Sequence, residues 1–216
     1  MNRKGIIRTA TLAGVTAAIG LTATLTATAA PQPAPVTAAA DLDGNGEIET
    51  VTATMAGDHE QVISATVNGV PTSIRVQADS QFGLQAPRVA DLNGDGSQEL
   101  IVPTSVGANT THFTALHYHD GLHQVVGADG KPLELAEGGG IAAKVGYNCS
   151  GTEGGGRAFG TVAAEADDLN APNLTYSGTR TVYTMRDGAL TVQETVPFSH
   201  RPDTNPLVVA DPATCS

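Results

Sequence analysis

The chain has no tryptophan and only four tyrosines and four phenylalanines, so a platform of stacked rings for sugars is disfavoured. Cysteine is scarcer still. Cys149 and Cys215 are the two present, and no Cys-x-x-Cys spacing exists to build a thiolate zinc site. Basic residues number 11 against 22 acidic ones, a formal net charge of −11. Phosphate contacts need clustered Lys and Arg, so nucleic acid is excluded as a partner. Beyond the N-terminal segment the three-to-four spacing of amphipathic helices is also missing, and no long helix is expected.

Arg3 and Lys4 precede an Ala/Thr/Leu/Ile run over residues 5–28 that ends in Ala27-Thr28-Ala29. That is the order of a secretory signal peptide, residues 1–29, with cleavage after Ala29. Threonines dilute the run and Arg8 interrupts it, unlike a retained membrane span. Loss of Arg3, Lys4 and Arg8 leaves eight basic residues against 22 acidic ones, a mature net charge of −14. A secreted, extracellular chain meets an oxidising compartment, where Cys149 and Cys215 are expected to join. Closing that loop stabilises the fold by roughly 4 kcal/mol in the chain-entropy model. Residues 30–40 are rich in Pro and Ala and read as a stiff spacer with nothing to pack.

Two segments then align without gaps: Ala40-Asp41-Leu42-Asp43-Gly44-Asn45-Gly46-Glu47-Ile48-Glu49 and Ala90-Asp91-Leu92-Asn93-Gly94-Asp95-Gly96-Ser97-Gln98-Glu99. Their period of about 50 residues lies in the range of blade-like repeats. Residues 50–55, 61–67, 72–76 and 100–102 are rich in β-branched side chains and read as strands, as do 159–164, 179–185 and 190–196. Asn68-Gly69, Asp120-Gly121, Asp129-Gly130 and Asp187-Gly188 punctuate them as turns. The expected organisation is two repeats over residues 41–137, then a degenerate β unit or small disulfide-closed sheet over 138–216.

Calcium prefers six to eight oxygen ligands, and a short loop supplies them when alternate residues carry carboxylate or amide oxygens. Asp41, Asp43 and Asn45 hold positions one, three and five, Glu47 offers its carbonyl at seven, and the Glu49 carboxylate closes the site at nine. Asp91, Asn93, Asp95, Ser97 and Glu99 correspond in the second loop. Glycines at positions four and six let the chain wrap its oxygens around one point. Two Ca2+ sites are expected. An EF-hand would place Glu at position twelve, where Thr52 and Val102 stand.

These loops resemble the FG-GAP repeat, the calcium-loop blade unit of integrin alpha-subunit propellers, which overlaps the VCBS repeats of bacterial extracellular proteins. The second copy is the more similar, with Phe82-Gly83, then Val89-Ala90-Asp91-Leu92-Asn93-Gly94-Asp95-Gly96, then Glu99-Leu100-Ile101-Val102-Pro103. The resemblance covers residues 41 to about 125 and implies calcium ligation at the matched positions. Two units are too few for a closed propeller, which takes at least about four blades. An all-β, antiparallel meander of blade-like units is expected. The composition is similar to that of small secreted proteins of high-GC bacteria.

His112, His117, His119 and His123 lie close in sequence around Asp120-Gly121. A two-residue turn would pair His123 with Tyr118 and point it away from His117 and His119, so no three-histidine metal site is expected. Ser199, His200 and Asp203 are the residue types of a hydrolase triad but are too close along an extended segment to face one another, and no Gly-x-Ser-x-Gly elbow is present. Residues 154–157, Gly-Gly-Gly-Arg, read as a flexible turn. The expected role is a secreted module that binds an extracellular protein or carbohydrate, with calcium structural. The alternative is a polysaccharide-active hydrolase drawing its carboxylates from Glu153, Glu165, Asp167 and Asp168.

Overall fold

Short runs of β-branched and apolar residues, separated by Gly turns, build an antiparallel all-β molecule in this computed structural model. It describes residues 33–79, 83–153 and 155–216. The expected signal peptide, the first residues of the spacer, Phe82 and Gly154 lie outside the described residues.

The first sheet runs in chain order through β1 (Val36–Ala40), β2 (Glu49–Met55), β3 (Glu60–Val67) and β4 (Val70–Gln77). Val36–Ala40 was expected to be spacer. Instead it is a strand, paired with β2 from Val36↔Ala53 to Ala40↔Glu49. Its alternate residues meet an apolar face, and Ala40 is fully buried, which a solvated spacer would not be. The β3–β4 link is Asn68-Gly69, with φ of 51° and 77°. Left-handed conformation at both residues suits a two-residue hairpin, because its twist matches that of the flanking strands.

The second sheet comprises β5 (Arg88–Ala90), β6 (Glu99–Val106), β7 (Thr110–Tyr118), β8 (Leu122–Gln124), β9 (Glu134–Gly138), β10 (Ala143–Gly151), β11 (Arg157–Ala166), β12 (Thr175–Arg186) and β13 (Ala189–Pro202). Its order is β13-β12-β11-β10-β9-β7-β6-β5, with β8 also on β7. The runs β1–β4 and β5–β8 share one connectivity, and in each an acidic loop joins the first strand to the second. The sheet crosses the boundary expected near residues 137–140: Gly138 pairs with Thr110 on one side and Val145 on the other. Neither sheet closes into a barrel or ring.

Strand β6 is the shared wall between two cores. Leu100 and Val102 pack toward the first sheet with Leu42, Val51, Ile63 and Val67. Ile101 faces the opposite side with Leu92, Phe113, Tyr147 and Phe159. A strand buried on both faces needs apolar residues in succession, hence Leu-Ile-Val without alternation. Half of the scarce aromatics meet in this second core, edge to face for Phe113–Tyr147 with ring centroids 6.4 Å apart, and tilted for Tyr147–Phe159 at 6.0 Å and Phe159–Tyr183 at 6.1 Å. Cys149 of β10 is joined to Cys215 in a 3-10 turn, Pro212–Cys215, and both are buried there. No helix among the described residues is long and apolar enough to cross a membrane.

Phe159 is fully buried between two other rings. Phe159→Ala is expected to lower the unfolding free energy in urea by about 3–5 kcal/mol. Val192→Ala, on the exposed strand β13, should stay within about 0.5 kcal/mol of wild type in the same titration.

Candidate metal centre

Each acidic loop is fixed at its second residue, a leucine with no freedom to leave the core. Leu42 and Leu92 are 1% and 0% exposed. Their backbone N–H groups donate to Oε2 of Glu49 at 2.9 Å and of Glu99 at 2.8 Å, so position nine folds back over position two. Three further bonds recur in both loops, while in the first loop alone the Asp41 carboxylate also accepts from the Asn45 and Gly46 N–H groups at 3.1 and 2.8 Å. The position-one carboxylate accepts from the position-four N–H, with Asp41 from Gly44 at 2.9 Å and Asp91 from Gly94 at 2.6 Å. Asp43 and Asn93 accept from the position-five N–H at 3.3 and 3.0 Å. Asn45 and Asp95 accept from the N–H of Glu47 and Ser97 at 2.6 and 2.8 Å. Gly44 and Gly94, with φ of 72° and 76°, turn the chain where a β-carbon would be strained.

In the first loop the ligand atoms of Asp41, Asp43 and Glu49 lie within 4.8 Å of one another, a group that could hold a metal ion. Asn45 is turned toward Asp43 at 3.1 Å and toward the Asn68 side chain at 3.3 Å, and Asn68 Nδ2 also donates to Asp43 at 2.6 Å. The β3–β4 turn thus buttresses this loop. Glu47 is exposed and enters through its N–H. In the second loop Asn93 stands where Asp43 stands in the first, and its Nδ2 donates to Asp95 at 2.7 Å. The carboxylate that Asp43 supplies at position three stands instead at position five, as Asp95, and no second acidic triad of the same closeness forms among the described residues.

Glu99 is 3% exposed. Burial pushes its carboxyl up to about 8; the Leu92 N–H opposes the shift, and the charges of Asp95 and Asp91 add to it. A carboxylate taken from water beside two others resists ionising unless a cation compensates.

The two loops also touch, which their alignment does not reveal. The Asp41 N–H donates to Gln98 Oε1 at 2.8 Å, and the Gln98 N–H returns a bond to the Asp41 carbonyl at 2.7 Å. A β-carbon on Gly44 would stand 3.0 Å from Ser97 Oγ. The only sequence signal for this contact is Gln98 at a position that holds the exposed Ile48 in the first loop. A cavity of about 300 Å³ opens beside the second loop, lined by Asp43, Asn93, Asp95, Glu99, His117 and Asp187 among others.

The histidines are arranged differently from expectation. Tyr118 pairs with Leu122, leaving a three-residue turn at 119–121, with Asp120 at φ 54° and Gly121 at φ 144°. The extra residue shifts the register so that His123 faces His117, with ring centroids 5.8 Å apart, instead of Tyr118. Burial, together with His123 and His119, lowers the His117 pKa, against the pull of Asp187. His112 pairs with Ser105 nearer the start of β7. Ser199, His200 and Asp203 do not assemble as a relay. His200 Nδ1 lies 3.0 Å from Asp167 Oδ2, and the Ser177 and Thr175 hydroxyls donate to the same carboxylate at 2.5 and 2.6 Å. Those two hydroxyls, with His200 adding to them, hold Asp167 below the usual carboxylate range.

Comparison with models of known protein families, with curated proteins and with solved structures returned no match.

With a folded-state value near 8 against an ordinary 4.5, Glu99 keeps a proton that the unfolded chain releases between those limits. Its contribution to stability is therefore complete below about pH 4.5 and lost as pH rises to about 8. In metal-free buffer, Glu99→Gln should remove a falling slope of up to about 1.4 kcal/mol per pH unit from the urea-derived stability. Parallel profiles for the two proteins would assign the slope to another group.

Proposed function

We propose that this is a secreted calcium-binding protein of the FG-GAP/VCBS type, in which two blade-like units each hold one structural Ca2+. The observation that carries the reading is the repeated loop bonding, from position one to four, three to five, five to seven and nine to two. It orders the same oxygen-bearing residues twice around glycines in the left-handed region. The Asp41, Asp43 and Glu49 group supplies three carboxylates to the first ion, and Asp91, Asn93, Asp95 and Glu99 supply the second. Hard carboxylate and amide oxygens without His or Cys favour Ca2+ over zinc or copper.

Calcium acts here by cancelling repulsion and fixing the strands on either side, so that the surface around the loops is presented rigidly. The module binds an extracellular protein or a carbohydrate and catalyses nothing. The N-terminal sequence and the Cys149–Cys215 pair support an extracellular location.

Metal that binds only the native state stabilises it by about 1.4 kcal/mol per site at ten times Kd. Extracellular modules of this kind bind at about 10⁻⁴ to 10⁻³ M. The melting temperature should fall in chelator and recover with millimolar Ca2+ but not with Mg2+, and Asp41→Ala should lose the first site's share of that recovery. A melt that ignores chelator in both wild type and Asp41→Ala would remove the structural role.

A further inference from the structure

The second loop is gripped from outside by the end of the chain. The Asp91 N–H donates to the Cys215 carbonyl at 2.8 Å. The Arg157 guanidinium spans both partners, with Nη1 2.9 Å from the Asp91 carbonyl and 2.9 Å from the Cys215 carbonyl, while Nη2 reaches the Ser216 carbonyl at 3.2 Å. The Arg157 backbone N–H donates to the Asn93 carbonyl at 2.9 Å. A β-carbon on Gly94 would stand 2.8 Å from that same nitrogen and 3.1 Å from Gly156, so the loop backbone lies directly on the turn before β11.

Asp91, Asn93 and Gly94 are positions one, three and four of the loop, the part that aims its first ligands. Cys215 is in place because it is bonded to Cys149, and Thr214 Oγ1 accepts from the Cys149 N–H at 2.9 Å. The first loop is held by different means: the Asn68 side chain, and the Gln98 contact that it shares with the second loop.

We propose that the disulfide-anchored C-terminus and Arg157 form a clamp that positions the second loop, so that the calcium affinity of that loop depends on the Cys149–Cys215 bond far more than the affinity of the first loop does. The clamp rests on the calcium reading above. Arg157 and Cys215 are positioning residues, acting on the ion through Asp91 and Asn93. Arg157 suits the place because one planar cation satisfies three carbonyls at once, a geometry that lysine matches only in part. Opening the disulfide would release the Cys215 and Ser216 carbonyls together, leaving the Asp91 N–H without its acceptor and Arg157 with the Asp91 carbonyl alone.

The test is a Ca2+ titration of the full mature chain, followed by the backbone amide resonances of Gly44 and Gly46 for the first loop and of Gly94 and Gly96 for the second. In the Cys149→Ala/Cys215→Ala double variant and in Arg157→Ala, the second-loop midpoint should rise about ten- to a hundredfold, the usual cost of losing groups that orient metal ligands. The first-loop midpoint should move by less than about threefold, with Arg157→Lys falling between wild type and Arg157→Ala. An unmoved second-loop midpoint overturns the clamp, and so does an equal shift at both loops, which is what general destabilisation would give. Should neither loop answer Ca2+ in the wild type, the calcium reading fails, and amide hydrogen exchange of the metal-free chain decides the clamp alone. Faster exchange at Gly94 than at Gly44 in the two Ala variants upholds it; equal rates overturn it. Arg157→Ala keeps the question answerable if the double cysteine variant does not fold.

Discussion

The tie between position nine and position two of each loop is the constraint on which the site depends. A glutamate carboxylate is drawn beneath the surface to receive the N–H of a leucine that the core will not release. This closes the loop into a ring set between the ends of paired strands, Ala40↔Glu49 and Ala90↔Glu99. Strand pairing, leucine burial and loop shape are therefore one event and not three. In the second loop the cost is a carboxylate in a poor dielectric, since burial pushes the Glu99 carboxyl well above its ordinary value.

Strand β6 carries that constraint into the rest of the molecule. It begins at Glu99 and passes at once between the two cores, so displacing the loop would move Leu100 and Ile101 into opposite hydrophobic faces together. Close-packed interiors resist such a shift. Few large side chains achieve this here, since four rings and a handful of aliphatic residues fill the second core. The disulfide contributes in the same region by fixing the 3-10 turn that holds Cys215 against β10.

The strands with β-branched runs, the Asn68-Gly69 hairpin and the two aligned loops were legible because each is a local pattern with a local cause. Strand β1 was not, because Val36-Thr37-Ala38-Ala39-Ala40 follows prolines and is short in large side chains. Its burial comes from β2 and the leucines of the second sheet, partners at a distance that composition cannot register. The His117–His123 pairing was missed for a smaller reason. Asp-Gly marks a turn without specifying whether two or three residues are looped, and one residue moves every side chain to the other face. The continuity of the large sheet through β9 was hidden by Gly138, Gly139 and Gly140, which read as a flexible turn at the boundary between residues 41–137 and 138–216. Gly138 has no room for a side chain, since a β-carbon would meet the Asn109 carbonyl, so in that place glycine marks crowding and not slack.

Strand β13 is the last in its sheet and the longest, Ala189–Pro202, and past its first residues its outer side is unpaired among the described residues. An open row of backbone donors and acceptors is a template on which other chains can assemble. Pro197 and Pro202 each lack a donor, and His200 at φ 52° bends the row away from a straight ladder. The glutamine, glutamate, histidine and arginine along it keep it wet. The edge is thus a site of restraint against fibre growth, a need that rises when a strand so long is left at the margin of a sheet.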